Sequence, residues 1–189
     1  MWSTVALGLI VMVGLTCGGC GWGADNDAVP QVYDLIKAFP KARTQTPNPR
    51  YVTQPASNYA EVAGDRRPVL SMHPPSSAEF PSVRITAESV FTFGFCILEA
   101  AWGKPGDGVE FTVLVRLPDN TQERLFSKYI DPKHNPEDRR WFTERISLER
   151  FAAGKSIQIT LATSPGPAGD NDFDWAVWSQ PQIVLSRTK

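Results

Sequence analysis

The sequence predicts an all-β fold: an antiparallel, jelly-roll-like β-sandwich, with a short N-terminal helix and an extended Pro-rich segment ahead of it. From Ser82 onward the apolar residues recur with a period of two, the spacing of a strand with one face buried and one in water. Gly, Pro and Asp turns separate these runs. Strands do not alternate with helical patterns in the way that builds a parallel sheet. The 189 residues, 42% hydrophobic and 21% charged, suit one globular domain with tails, and sixteen Pro and fourteen Gly fit a turn-rich chain.

At the N-terminus, Met1 to Ala24 contains no Asp, Glu, Lys or Arg. The apolar core Val5 to Leu15 precedes the small-residue run Thr16-Cys17-Gly18-Gly19-Cys20-Gly21, the pattern of a secretory signal. A Cys directly after such a core resembles a bacterial lipobox, in which the Cys becomes the lipidated first residue. Cys20, preceded by Gly18 and Gly19, is the favoured lipidation site and Cys17 the alternative. A plain secreted protein and an uncleaved anchor stay open, although five glycines from Gly8 to Gly21 count against a stable membrane span. The expected organisation is a signal peptide over 1–19, an anchor, short helix and Pro-rich segment over 20–68, and the sandwich over 69–189. The protein is expected to be exported to the cell envelope and lipid-anchored to a membrane.

Asp25 to Ser82 holds nine of the sixteen prolines and no Trp. Val32, Leu35, Ile36 and Phe39 share one helical face, with Pro30 suited to the first helical position and Pro40 ending the run. Lys41 to Tyr59 reads as extended linker. Arg66 to Met72 is a first strand, broken by His73-Pro74-Pro75. Val83 and Ile85 follow, then the longer buried run Val90 to Leu98. Val109, Phe111, Val113 and Val115 alternate with Glu110, Thr112, Leu114 and Arg116. Leu125 to Ile130, Trp141 to Leu148, Ser156 to Ala162 and Gln182 to Leu185 complete the series. Phe151 is expected to plug the end of the sandwich, and Gly154 to turn the chain into the next strand.

A net charge of −1 excludes a nucleic-acid binder that relies on a basic surface. Three cysteines form no disulfide framework, and Cys96, within FTFGFCIL, reads as a buried small hydrophobe. No G-x-S-x-G, H-E-x-x-H or phosphate-cradling glycine loop is present, and neither His73 nor His134 sits in a nucleophile motif, so no enzyme is expected. Glu99 and Glu110 would be candidates for a glycosidase pair, a reading that depends on their separation in space.

Two features point to ligands. Asp170, Asp172 and Asp174 are spaced like the start of a calcium loop, and hard cations take several oxygen ligands. Trp175 at the sixth position and Pro181 at the twelfth exclude an EF-hand, and Asx turns account for the same residues. Calcium is therefore a possible cofactor, with turn chemistry as the alternative. Sugars stack on exposed aromatic rings, which makes Trp102, Trp141 and Trp178, all near turns, carbohydrate-binding candidates beside core packing, with Arg140 as a partner for sugar hydroxyls or a carboxylate. Trp175 reads as core.

The run Gly169 to Ile183 resembles the closing motif of NPCBM-type modules, galactose-binding-like β-sandwiches often attached to bacterial glycoside hydrolases. Asp174, Trp175 and Ala176 match that motif, while Asn171 stands at its earlier acidic position. Gly108-Val109-Glu110-Phe111-Thr112-Val113 is similar to the family's Gly-x-x-Phe-x-Val strand. The resemblance covers roughly 69–189 and implies carbohydrate binding, in some relatives with a structural calcium. It matches framework positions and implies no sugar specificity. The function expected is a non-catalytic, extracytoplasmic carbohydrate-binding-like module with a glycan and, through its lipid, a membrane as partners. The alternatives are a structural or protein-interaction envelope lipoprotein without a glycan site, and an envelope hydrolase.

Overall fold

The computed structural model describes residues 31–53, 59–153 and 156–185. The signal peptide, Cys17, Cys20 and Gly154 lie outside the described residues. In chain order come β1 (Gln31–Asp34), α1 (Leu35–Ala38), β2 (Arg43–Gln45), β3 (Val52–Thr53), β4 (Tyr59–Val62), β5 (Asp65–Met72), β6 (Ser76–Glu79) and β7 (Val83–Arg84). They are followed by β8 (Val90–Ile97), β9 (Val109–Arg116), β10 (Gln122–Ile130), β11 (Phe142–Ser147), β12 (Ser156–Pro165) and β13 (Ala176–Leu185).

These strands form two antiparallel sheets. The seven-stranded sheet runs β11-β8-β13-β5-β3, with β1 also paired to β13 and β4 to β5. The six-stranded sheet runs β10-β9-β12-β6-β2, with β7 also on β12. Alternation decides which side chains meet between them. Phe111, Val113 and Val115 of β9 and Ile157, Ile159 and Leu161 of β12 face Phe91, Phe93 and Phe95 of β8 and Trp178 of β13, all in one buried core. Phe151, buried in a 3-10 turn after β11, closes one end as expected. Between β9 and β10 the turn runs through Pro118, Asp119 and Asn120. Asn120 takes φ +66°, a conformation Asn tolerates, and Asp119 Oδ1 accepts the Thr121 N–H at 2.9 Å.

Four expectations change. The predicted helical face of Val32 to Phe39 is divided. Asp34 Oδ1 accepts the Ile36 and Lys37 N–H groups, so the helix starts at Leu35. Residues 31–34 instead pair with Gln182 to Leu185, leaving Val32 exposed. The stretch read as a linker lies on the sandwich, because β2 pairs with β6 and β3 with β5. The division at 68/69 is therefore not a structural boundary: strands before it belong to both sheets. β6 was not predicted, since Ser76-Ser77-Ala78-Glu79 offers one apolar residue. β13 begins six residues earlier than expected; a bulge at Gln180 (φ +45°) and Pro181 breaks its alternation.

Candidate functional site

The structure separates the predicted sugar-contacting residues. Trp178 is fully buried against Phe93, Phe95 and Phe111, with ring centroids 5.2–6.0 Å away, so it has no face for a ligand. Of the two tryptophans of the closing motif, Trp175 precedes β13, half-buried and packed against the core as expected, whereas Trp178 points inward from the strand. Trp102 donates its indole N–H to the Ile97 carbonyl at 2.8 Å, and Trp141 donates to the Asp65 carbonyl at 3.0 Å. The Arg67 guanidinium lies 5.0 Å over the Trp141 ring. Both tryptophans pack against a small outer cluster of Val62, Val69, Cys96 and Val177. Arg140 stacks 4.6 Å from the Phe142 ring and donates to the Glu137 carbonyl. Trp102, Trp141 and Arg67 fasten the β4–β5 hairpin, as an arm, across the outer face of the seven-stranded sheet.

That arm is held closely. The Arg67 guanidinium donates to Thr143 Oγ1 on β11 at 2.9 Å, and Glu99 accepts the Ala63 N–H. Gly94 makes room below it: a Cβ there would collide with the Ser179 hydroxyl and come within 3.1 Å of the Arg67 guanidinium. Cys96 is buried here as a small hydrophobe, and burial pushes its thiol well above the ordinary range.

The acidic loop does not gather its three aspartates. Asp170 and Asp172 are exposed, and Asp170 Oδ1 accepts the Asp172 N–H at 2.9 Å, an Asx turn. Asp174 alone turns inward, beneath the loop that carries Asp107 and next to Asp131. Asp174 Oδ2 and Asp107 Oδ1 are buried with no hydrogen-bond partner among the described residues. Asp107 Oδ2 accepts the Ala168 N–H at 2.6 Å, and the Asp107 carbonyl accepts the Tyr129 O–H, which ties two loops to β10. Burial, then the charge of Asp107, pushes the Asp174 carboxyl up to about 8. Burial and the neighbouring Asp131 and Asp107 push the Tyr129 phenol up to about 12. Asp131 goes the other way. Burial raises it, but hydrogen bonds from His134, whose Nδ1 is 2.6 Å away, outweigh that and lower it.

Among the described residues, no three acidic, His or Cys side chains converge as a metal cage. Asp170, Asp172 and Asp174 therefore do not converge on one point. Glu99 and Glu110 are likewise not a catalytic pair: Glu99 holds the arm, while Glu110 accepts from Ser127 on the outer face of the other sheet.

That other face carries a trough of about 280 Å³, lined from β2 at one edge to β10 at the other by Arg43, Glu79, Arg116, Gln122, Leu114 and Thr160 among others. Because β2 and β10 sit at opposite ends of five paired strands, the trough crosses about 19 Å of sheet. The register sets Arg43, Glu79, Thr160, Leu114 and Arg124 side by side in one outward row. Gln45, Ser77 and Ala162 form the next row and continue into a second hollow. Glu79 anchors the row, pairing with Arg116 at 3.1 Å and with Arg43 at 3.8 Å.

No protein-family model matches the chain. An uncharacterized protein of Archaeoglobus fulgidus is 38% identical over 166 residues, 85% of this chain; the chain spans 38% of that protein's length. Among solved structures, the CBM51 from Clostridium perfringens GH95, in complex with methyl-galactose, aligns over 82% of this chain and 100% of its own, with TM-score 0.54 and 11% identity. The M60 catalytic domain with CBM51-1 and CBM51-2 from Clostridium perfringens ZmpB aligns over 83% of this chain and 15% of its own, with TM-score 0.58 and 15% identity. The fold is an antiparallel β-sandwich of the kind these modules have.

Sequence reading missed the trough. Its β9 and β12 residues were legible as the outward members of alternating strands. Arg43, Gln45, Ser77 and Glu79 were not, because β2 and β6 lack a hydrophobic pattern, and only the ladder to β12 brings them onto this face.

Proposed function

We propose that this chain is a non-catalytic, extracytoplasmic carbohydrate-binding module, held to a membrane by a lipid on Cys20, and that its glycan lies in the trough on the six-stranded sheet. The observation that carries the reading is that hollow. Guanidinium, amide, hydroxyl and carboxylate groups stand in register across five strands, with Leu114 and Ala162 as small apolar ground between them. A polyhydroxylated ligand needs many hydrogen-bonding groups at fixed spacing, and a sheet supplies them without further ordering. Modules of the same fold have been solved with methyl-galactose and with GlcNAc, which supports the ligand class without specifying the sugar. The exposed large hydrophobics among the described residues, Val32, Tyr59 and Tyr129, lie on three different strands, which gives a protein-interaction reading little support.

Screening the full chain in detergent against a glycan array tests the proposal. Binding to at least one glycan class is expected, weakened by Thr160→Trp, which fills the trough floor. Absence of binding to every glycan would sink it. For the anchor, mass spectrometry of the mature N-terminus should find an acylated Cys20; an unmodified start beyond Cys20 would reject it.

A further inference from the structure

We infer that the glycan taken by the trough is acidic, a sugar chain carrying carboxylates; this rests on the glycan-binding reading above. The charge on this face is one-sided. Arg43 and Arg116 line the trough, Arg124 ends the outward row of Arg43 and Glu79 at β10, and Glu79 is the one carboxylate in the trough lining. The chain as a whole carries a net charge of −1, whereas the trough lining holds two arginines to one carboxylate. The next carboxylate along β9, Glu110, is two outward positions from Leu114 and already accepts from Ser127 at 2.6 Å.

The geometry of the three arginines suits a carboxylate ligand. Glu79, only 18% exposed at its side chain, holds one nitrogen of Arg116 at 3.1 Å and so aims the guanidinium from the middle of the sheet. Arg43 is 81% exposed and stands 3.8 Å from the same carboxylate, a weak contact that leaves most of its donors turned to solvent. One glutamate cannot neutralise three guanidinium groups, and a planar guanidinium matches a carboxylate with two parallel hydrogen bonds. Neutral sugars would meet the same amides and hydroxyls but leave this charge unanswered. An acidic chain crossing the sheet meets cations at β2, β9 and β10, on both sides of the Glu79 position.

The test compares acidic oligosaccharides (oligogalacturonate, oligoglucuronate and oligomannuronate) with their methyl esters, titrated into the full chain in detergent. Esterification removes charge and leaves the ring hydroxyls. At least one free acid should bind about tenfold more tightly than its ester, a difference typical of charge-assisted hydrogen bonds. Raising salt from about 0.05 M to about 0.5 M should remove most of that advantage. Arg43→Gln and Arg116→Gln should each weaken the free acid more than the ester, so that the acid's advantage narrows. Arg43 lies on the exposed rim, so its variant tests the inference even if Arg116→Gln perturbs folding. Equal affinity for acid and ester, or binding confined to neutral glycans, would overturn the acidic ligand and leave the glycan-binding reading standing. Failure of every glycan to bind would overturn both.

Discussion

Asp174 is buried beneath loops that carry Asp107, Asp131, Asp170 and Asp172, whose charges oppose its ionisation. Its pKa in the folded chain, about 8, lies above the ordinary carboxyl value of 3.8. The folded state therefore holds a proton that the unfolded state releases. The resulting stability is complete below about pH 4, declines as pH rises and is gone above about pH 8, with a slope of at most about 1.4 kcal/mol per pH unit. Thermal melts from pH 5 to 9 should show that decline, and Asp174→Asn should flatten it. Excess calcium should leave the wild-type melting temperature unchanged at every pH. A calcium-dependent rise confined to pH 8–9 would show a cation taking the place of the proton. Trp178 and Trp175 teach a related lesson at this scale. Both stand near polar residues in the sequence, and only the start of β13 at Ala176 decides that Trp175 is half-buried and Trp178 is core.

At the scale of elements, the strands from 31 to 62 are parts of the sandwich. Leu35, Val52 and Val62 are buried, and β1, β2 and β3 cover the ladders of β13, β6 and β5. Removing a large buried side chain typically costs about 2–5 kcal/mol, and a whole domain is stable by about 5–15 kcal/mol. A chain starting at Val69 is therefore expected to lose its cooperative melt by circular dichroism. A sharp transition at the full chain's melting temperature would show instead that 69–189 is the independent unit. This is also where sequence legibility ended. β8, β9 and β12 were readable because Phe, Val and Ile alternate along them for eight or more residues. β2 and β6 hold three and four residues, one of them apolar, and owe their form to hydrogen bonds from a neighbour distant in sequence. Half of the trough comes from those two strands, so half of the candidate site was hidden for the same reason.

At the scale of the molecule, the two sheets share one core but have unlike outer faces. The six-stranded sheet leaves its outer face open and polar, with a hollow across it. The seven-stranded sheet carries the β4–β5 arm, stapled by Arg67 to Thr143 and by Trp141 to Asp65. Among the described residues, one side of the sandwich is thus open to a ligand the length of a short oligosaccharide, while the other is covered by the arm. The arm has a kinetic consequence too. Cys96 lies beneath it as the free cysteine of the described residues, and burial holds its thiol in the unreactive form. If the arm lifts before the core between the sheets comes apart, a thiol reagent should label Cys96 faster than the chain unfolds by circular dichroism, and equal rates would show that the two open together. The labelling rate of Cys96 thus becomes a clock for that local opening, separable from the slower timescale of global unfolding.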